Sequence, residues 1–218
     1  EGRQPASESQ LAIENAVRWL VNLQNRDGGF PTFCRGWGTL PFDRSSPDIT
    51  AHCVRALHAW LRPPTPEADP DSMWIYGLND LQRKAYFAIN NAERFLTKVQ
   101  RANGSWLPLW FGNQHVGDDE NPVYGTSRVL RAFADQAITD LGAWSTPAVR
   151  GAEWLRSIQN SDGGWGGDRR APSTVEETAL ALDAILHVPP GNEVDRGLDP
   201  QLARGVEYLI RRVEDGSW

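Results

Sequence analysis

The chain has 218 residues, 22 Lys plus Arg against 28 Asp plus Glu, and a formal net charge of −6 at pH 7, so a phosphate backbone would meet repulsion and nucleic acid is excluded as the main partner. Hydrophobic residues make up 40% and charged residues 23%, a globular rather than a disordered balance. No run approaches the roughly eighteen apolar residues of a membrane span and no basic-then-apolar leader opens the sequence, so the chain reads as soluble; Cys34 and Cys53 stand in no C-x-x-C spacing and read as buried thiols.

The first predicted element is a helix in which Ile13, Val17, Leu20 and Val21 form one apolar face, with Ser7 and Gln10 as a capping box. It runs into WLVNLQNRDGGF, where Trp19 is followed by Gln24, Asp27, Gly28 and Phe30 at offsets of 5, 8, 9 and 11. The Asp-Gly step supplies a residue tolerant of positive φ where the helix stops. Ser46-Pro47-Asp48 then opens a second helix, with Ser as N-cap and Pro at the first helical position, carrying Ile49, Cys53, Ala56, Leu57 and Trp60. RPPTPEADP, Arg62 to Pro70, reads as a flexible loop.

The same frame returns in FLTKVQRANGSW as Phe95, Gln100, Asn103, Gly104 and Trp106, and in WLRSIQNSDGGW as Trp154, Gln159, Asp162, Gly163 and Trp165. Between these copies Asn121-Pro122 opens a helix with Val129, Leu130 and Phe133. After the third copy, Ser173 to Glu176 reads as a capping box before TVEETALALDAIL. A second Pro- and Gly-containing loop, Val188 to Pro200, precedes Leu202, Val206, Leu209 and Ile210 at amphipathic spacing. YLIRRVEDGSW, from Tyr208 to Trp218, is a shorter fourth copy without the Gln.

Motif starts lie 76, 59 and 54 residues apart, room for about two helices per unit at 1.5 Å rise per residue. The helices that end in the motif are the more polar ones, and those between motifs are more apolar. Alternation of this kind predicts an all-α fold, an α/α toroid of paired inner and outer helices in a single domain over 1–218, with weak strand signals throughout. The chain opens at Glu1 rather than Met and stops inside a motif, so a fragment of a longer protein is expected.

The string Q-x-x-(D/N)-G-x-W after an aromatic helix end resembles the QW motif of the squalene-hopene and oxidosqualene cyclases. DGGFPTFCRGW, SPDITAHCVRAL, GSWLPLW, NPVYGTSRVL, QNSDGGWGGD, STVEETALALDAI and GVEYLI resemble, in order, successive blocks of the C-terminal half of bacterial squalene-hopene cyclases. That resemblance implies part of an α/α6 barrel and an isomerase that cyclises a linear, squalene-like isoprenoid without a cofactor or metal. In such enzymes an Asp of a D-x-D-D-T motif protonates the polyene and aromatic faces stabilise the carbocations, each contact being worth about 2 kcal/mol or more when desolvated. No D-x-D-D occurs here, so the isolated chain is expected to be inactive and to need the N-terminal remainder of the same protein. A cytoplasmic location, peripheral on a membrane, follows from the resemblance alone.

The resemblance also assigns candidate site residues. Asp48 and His52 match an Asp and the His that hydrogen-bonds the catalytic acid, and their i, i+4 spacing puts both on one helix face; a capping Asp beside a partly buried His is the structural alternative. Trp110 and Tyr124 match aromatics of the family's blocks and are cavity candidates, Phe33 falls where the family places a Tyr, and Trp37 is close by, although large aromatics also simply fill cores. The motif aromatics Phe30, Trp106, Trp165 and Trp218 are expected to brace the outer helices. Departures lie in Phe33-Cys34-Arg35-Gly36-Trp37 and in the loop Gly117 to Asn121, where Asp118 and Asp119 lack the spaced third carboxylate of a metal-diphosphate site. Without an Asp-x-Cys pair a prenyltransferase-type zinc set is not reproduced. The competing class is a non-catalytic toroid that holds a lipid or protein partner.

Overall fold

A computed structural model describes residues 7–34, 40, 43–61, 77–137, 146–188 and 199–217. Seven α-helices occur among them: α1 (Glu8–Leu23), α2 (Pro47–Leu61), α3 (Asp80–Val99), α4 (Pro122–Ala137), α5 (Thr146–Ser157), α6 (Val175–His187) and α7 (Pro200–Glu214). α2 packs on α4 and α4 on α6, forming an inner layer. α3 covers α2, α5 lies against α4 and α6, α7 covers α6, and α1 rests on α3. The result is a two-layer α/α array, an arc of the expected toroid.

Each repeat is built by the same local chemistry. The motif Gln stands just past the end of its outer helix and its amide donates twice. Gln24 Nε2 reaches Gly28 O and Ala88 O of α3, both at 2.8 Å; Gln100 reaches Gly104 O at 2.8 Å and Pro147 O of α5 at 2.9 Å; Gln159 reaches Gly163 O and Gln201 O of α7, both at 2.8 Å. One side chain therefore closes its own turn and ties it to the next outer helix. The motif glycine makes that approach possible. At Gly104, φ is +98° and a Cβ would stand 2.6 Å from Arg150 O, so both the backbone angle and the space require glycine.

The motif aromatic joins the two layers. Phe30, Trp106 and Trp165 are fully buried, and their backbone N–H groups donate at 2.9 Å to Thr50, Thr126 and Thr178, one threonine in each inner helix. Trp106 Nε1 donates to Leu96 O at 2.7 Å and Trp165 Nε1 to Leu155 O at 2.8 Å, back to the outer helix that each follows. Buried polar groups are thus satisfied within the motif. These aromatics serve as braces, as expected; Trp218 lies outside the described residues.

Several local expectations need correction. α1 and α3 do not stop at the glycine: their C-caps are Gln24 and Gln100, with ψ near 130°, and the glycine follows four residues on within the turn. The α6 cap is shifted by one residue, Thr174 Oγ1 accepting from Glu177 N at 3.1 Å, because Ser173 Oγ is engaged by Asp162. Ser46 precedes α2, but its hydroxyl donates to the Asp48 carboxylate and accepts Leu109 N–H at 3.0 Å instead of capping the helix. Short strand pairing does occur, β1 (Phe30–Pro31) with β2 (Ser45–Ser46), and Trp165 bridges Thr174 in the same way. Cys53 is buried, and burial pushes its thiol up to about 12, but Cys34 is exposed. The capping box Ser7–Gln10 forms as predicted, and Asn79–Gln82 makes an unforeseen second one at α3. Both proline-rich loops, 62–70 and most of 188–200, lie outside the described residues.

Candidate functional site

The inner helices all begin from the loops that follow the motif aromatics, so those loops gather at one end of the inner layer. Two contacts join the first pair of loops: Leu109 N–H to Ser46, already described, and Trp110 Nε1 donating to Thr32 Oγ1 at 2.5 Å. Around this junction stand Asp48 and His52 of α2, Tyr124 and Arg128 of α4, and Trp110 and Phe111 of the loop.

Asp48 is only 4% exposed and is held by Ser46, while His52, one turn later on the same helix, is exposed. Partial desolvation of the ring and the charge of Arg128 hold the His52 imidazole below its ordinary range; Asp48 pulls the other way and Arg55 adds to the lowering. The ring is therefore neutral at pH 7.

Tyr124 is 8% exposed. Phe111 stacks on it with centroids 3.8 Å apart and planes within 9°, and the Arg128 guanidinium lies over the ring at 4.9 Å. The Tyr124 ring is thus packed against both side chains. Trp110 is 51% and Phe33 70% exposed, the indole steered by its bond to Thr32. Trp37 lies outside the described residues. The structure thus brings Asp48, His52 and Tyr124 together with Arg128, and sets Trp110 and Phe33 on the adjoining loops.

Sequence reasoning passed over three contributors. Phe111 was signalled by its adjacency to Trp110, and Arg128 by its i, i+4 spacing from Tyr124. Glu177 carried the least signal. Buried on α6, it accepts Asn113 Nδ2 at 2.9 Å and Asn121 Nδ2 at 3.0 Å on one oxygen and the Thr174 hydroxyl on the other. Asn121 Oδ1 in turn accepts Tyr124 N–H at 3.0 Å, so the start of α4 is tied to α6.

Deeper along the inner helices the polar groups form ion pairs: Arg55 with Asp135 at 2.5 Å, then Arg131 with Asp135 at 3.5 Å and with Asp183 at 3.0 Å. In the loop before α4, Asp118 and Asp119 are exposed and Glu120 pairs with Arg101 at 2.8 Å. Among the described residues no three His, Cys, Asp or Glu side chains converge as a metal site would require, and no helix is long and apolar enough to cross a membrane. A cavity of about 380 Å³ between the third motif turn and α7, walled by Asp162, Arg204, Tyr208, Arg211 and Arg212, shares no residue with the Asp48 cluster.

A two-layer helical array closed by Gln-bridged, aromatic-plugged turns, with a His/Asp pair at the loop end of its inner helices, defines an α/α-toroid of the terpene-cyclase kind. The family model described as the squalene-hopene cyclase C-terminal domain matches residues 3–218, and the chain belongs to that family. It is 31% identical to a squalene-hopene cyclase of Bradyrhizobium diazoefficiens, over 95% of this chain and 30% of that protein. It is 30% identical to a squalene hopane cyclase of Aspergillus fumigatus, over 97% and 31%, and 29% identical to a drimenyl diphosphate synthase of Streptomyces showdoensis, over 96% and 32%. The chain thus spans under a third of the length of these relatives.

Proposed function

We propose that the chain forms the C-terminal half of the catalytic chamber of a terpene cyclase, in which a linear isoprenoid is protonated and its carbocations are held until the rings have closed. The proton donor is a carboxylic acid in another part of a longer polypeptide, as the missing D-x-D-D and the partial coverage of the relatives suggest. Asp48 and His52 assist that acid: the buried Asp48 fixes one end of the helix face, and the neutral, exposed His52 offers a ring nitrogen to the donor's carboxyl. The observation that carries this reading is the pairing of a buried, anchored Asp with an exposed, neutral His one turn apart at the loop end of α2.

Trp110 and Phe33 supply aromatic surface to the hydrocarbon. Tyr124, nearly buried and packed against Phe111 and Arg128, supports the wall rather than facing a cation. The relatives' names span squalene-hopene cyclase and drimenyl diphosphate synthase, so the isoprenoid is either an uncharged polyene or one bearing a diphosphate. A second reading is favoured by the 70% and 51% exposure of Phe33 and Trp110: a non-catalytic toroid that uses these loops to hold a lipid or a protein. Incubation of the full gene product with squalene and with linear prenyl diphosphates, followed by mass spectrometry of the extracts, separates the two. Polycyclic products that disappear in His52→Gln support the cyclase, and absence of cyclic product from every substrate refutes it. The peripheral membrane location is tested by flotation of the same protein with lipid vesicles.

A further inference from the structure

α4 is the middle one of the three inner helices, with α2 and α6 on either side and α5 against it from the outer layer. From Pro122 to Asp135 every residue is buried except Arg128, Arg131 and Asp135. With Tyr124 these stand at i, i+4, i+7 and i+11, on one stripe of the helix, so below Tyr124 the open side of α4 carries charge and no apolar surface. The charges continue onto both neighbours. Arg55 of α2 bonds Asp135, Asp135 also holds Arg131, and Arg131 reaches Asp183 of α6, a line of alternating sign across all three helices. It starts at one level below the loop end: Asp48 to Arg55, Tyr124 to Arg131 and Glu176 to Asp183 are each seven residues, about 10 Å at 1.5 Å rise per residue.

Two guanidinium groups facing two carboxylates leave no net charge, so the line neither attracts an anion nor repels a carbocation. What it excludes is hydrocarbon. All four side chains are partly exposed and keep water, and an apolar chain laid over them would strip that water without offering a hydrogen bond, at a cost per ion larger than several buried methylenes return. Resting on the reading that the chamber takes an isoprenoid, we propose that the line Arg55–Asp135–Arg131–Asp183 is the polar floor of the chamber and sets the length of substrate it accepts. The hydrocarbon then occupies the height of about 10 Å between this floor and the loop aromatics Trp110 and Phe33. Such a height takes a chain folded into two fused rings, but not the longer row of rings that a chain of twice the length forms, so the substrate class is a short isoprenoid.

The test is calorimetry on the full gene product with three neutral probes of rising length, geraniol, farnesol and geranylgeraniol, so that neither ring closure nor a charged head enters. An isoprene unit that finds apolar surface tightens binding at least about tenfold; that step is expected from geraniol to farnesol, and a change within about twofold from farnesol to geranylgeraniol. In Arg55→Met combined with Asp135→Leu, which removes both signs together and leaves Arg131 to Asp183, geranylgeraniol is expected to bind at least about tenfold tighter than farnesol, whereas Arg55→Lys keeps the parent cut-off. Arg131→Met combined with Asp183→Leu reads the α4–α6 half and leaves Asp135 to Arg55, so a failure of one double variant to fold does not end the test. A mere staple between helices would lower the melting temperature of the double variants and leave the cut-off where it was. That result, affinity that keeps climbing to geranylgeraniol in the parent, or no binding of any probe would each overturn the proposal. Failure of the full gene product to form rings, with the cut-off intact, would instead remove the cyclase reading alone.

Discussion

Replacing Thr126 by valine isolates one link between the layers. The two side chains have nearly the same shape, so the substitution leaves no cavity, but it deletes the oxygen that accepts the Trp106 N–H at 2.9 Å. Thr126 and Trp106 are both fully buried, and water cannot replace the acceptor. An unsatisfied buried N–H costs about 1–3 kcal/mol, so Thr126→Val is expected to lose about 2 kcal/mol. For a domain of this size that lowers the thermal midpoint by roughly 4–8 °C. Thr126→Ser keeps the acceptor and removes one methyl, at about 0.8 kcal/mol, and is the milder change despite being the smaller residue. Thermal unfolding followed by circular dichroism at 222 nm, with urea titrations to check that m is unchanged, measures both. The equivalent pairs Thr50 with Phe30 and Thr178 with Trp165 predict the same ranking in the other repeats. If Thr126→Val unfolds within a degree of the parent chain, or if Thr126→Ser is the worse of the two, the threonine-to-motif hydrogen bond is not what couples inner to outer helices.

Gly104→Ala is expected to cost about 1–3 kcal/mol from the left-handed backbone angle alone, plus the clash with Arg150 O, whereas Gly117→Ala, with open space around it, stays near the parent value in the same melt. Glu177→Gln replaces one of the acceptor oxygens that serve Asn113, Asn121 and Thr174 with an NH2 group, so either the Thr174 hydroxyl must turn to accept or the two buried Asn amides lose their acceptor. A loss of about 1–3 kcal/mol is expected, with a change in near-ultraviolet signal as the Trp110–Phe111 loop loosens; an unchanged spectrum and stability would show that the network is not needed. The His52 ring is held below its unfolded value, so its contribution to stability is complete above the unfolded pKa near 6.5 and is lost as pH falls toward the folded value. His52→Gln should therefore flatten the stability profile below about pH 6.5, and an unchanged acid limb in urea titrations across pH 4–7 would contradict the assignment.

The repeat frame was readable because its residue types have few substitutes. A Gln that must donate twice, an Asn or Asp that turns the chain, a Gly that must approach backbone and an aromatic that must fill the layer gap recur at fixed offsets, and the structure uses each position for that purpose. Helix starts were legible where proline marks them, as at Pro47 and Pro122. Cap identity was less so: Ser173 and Thr174 are both chemically competent, and the choice fell to Thr174 once Asp162, a residue of the preceding turn, had engaged Ser173.

At the candidate site the sequence placed Asp48 and His52 on one face of one helix, because i, i+4 spacing is a local property. It also supplied the family blocks that named Trp110 and Tyr124 as wall residues. What it did not contain was the neighbour of each side chain. That Leu109 and Trp110 dock on Ser46 and Thr32, that Phe111 stacks on Tyr124, and that Glu177 reaches from α6 to the start of α4 follow from the packing of segments apart in sequence. Periodicity and motif spacing are set within a few turns of chain and survive in the primary structure; which charges pair is decided only when separate helices meet.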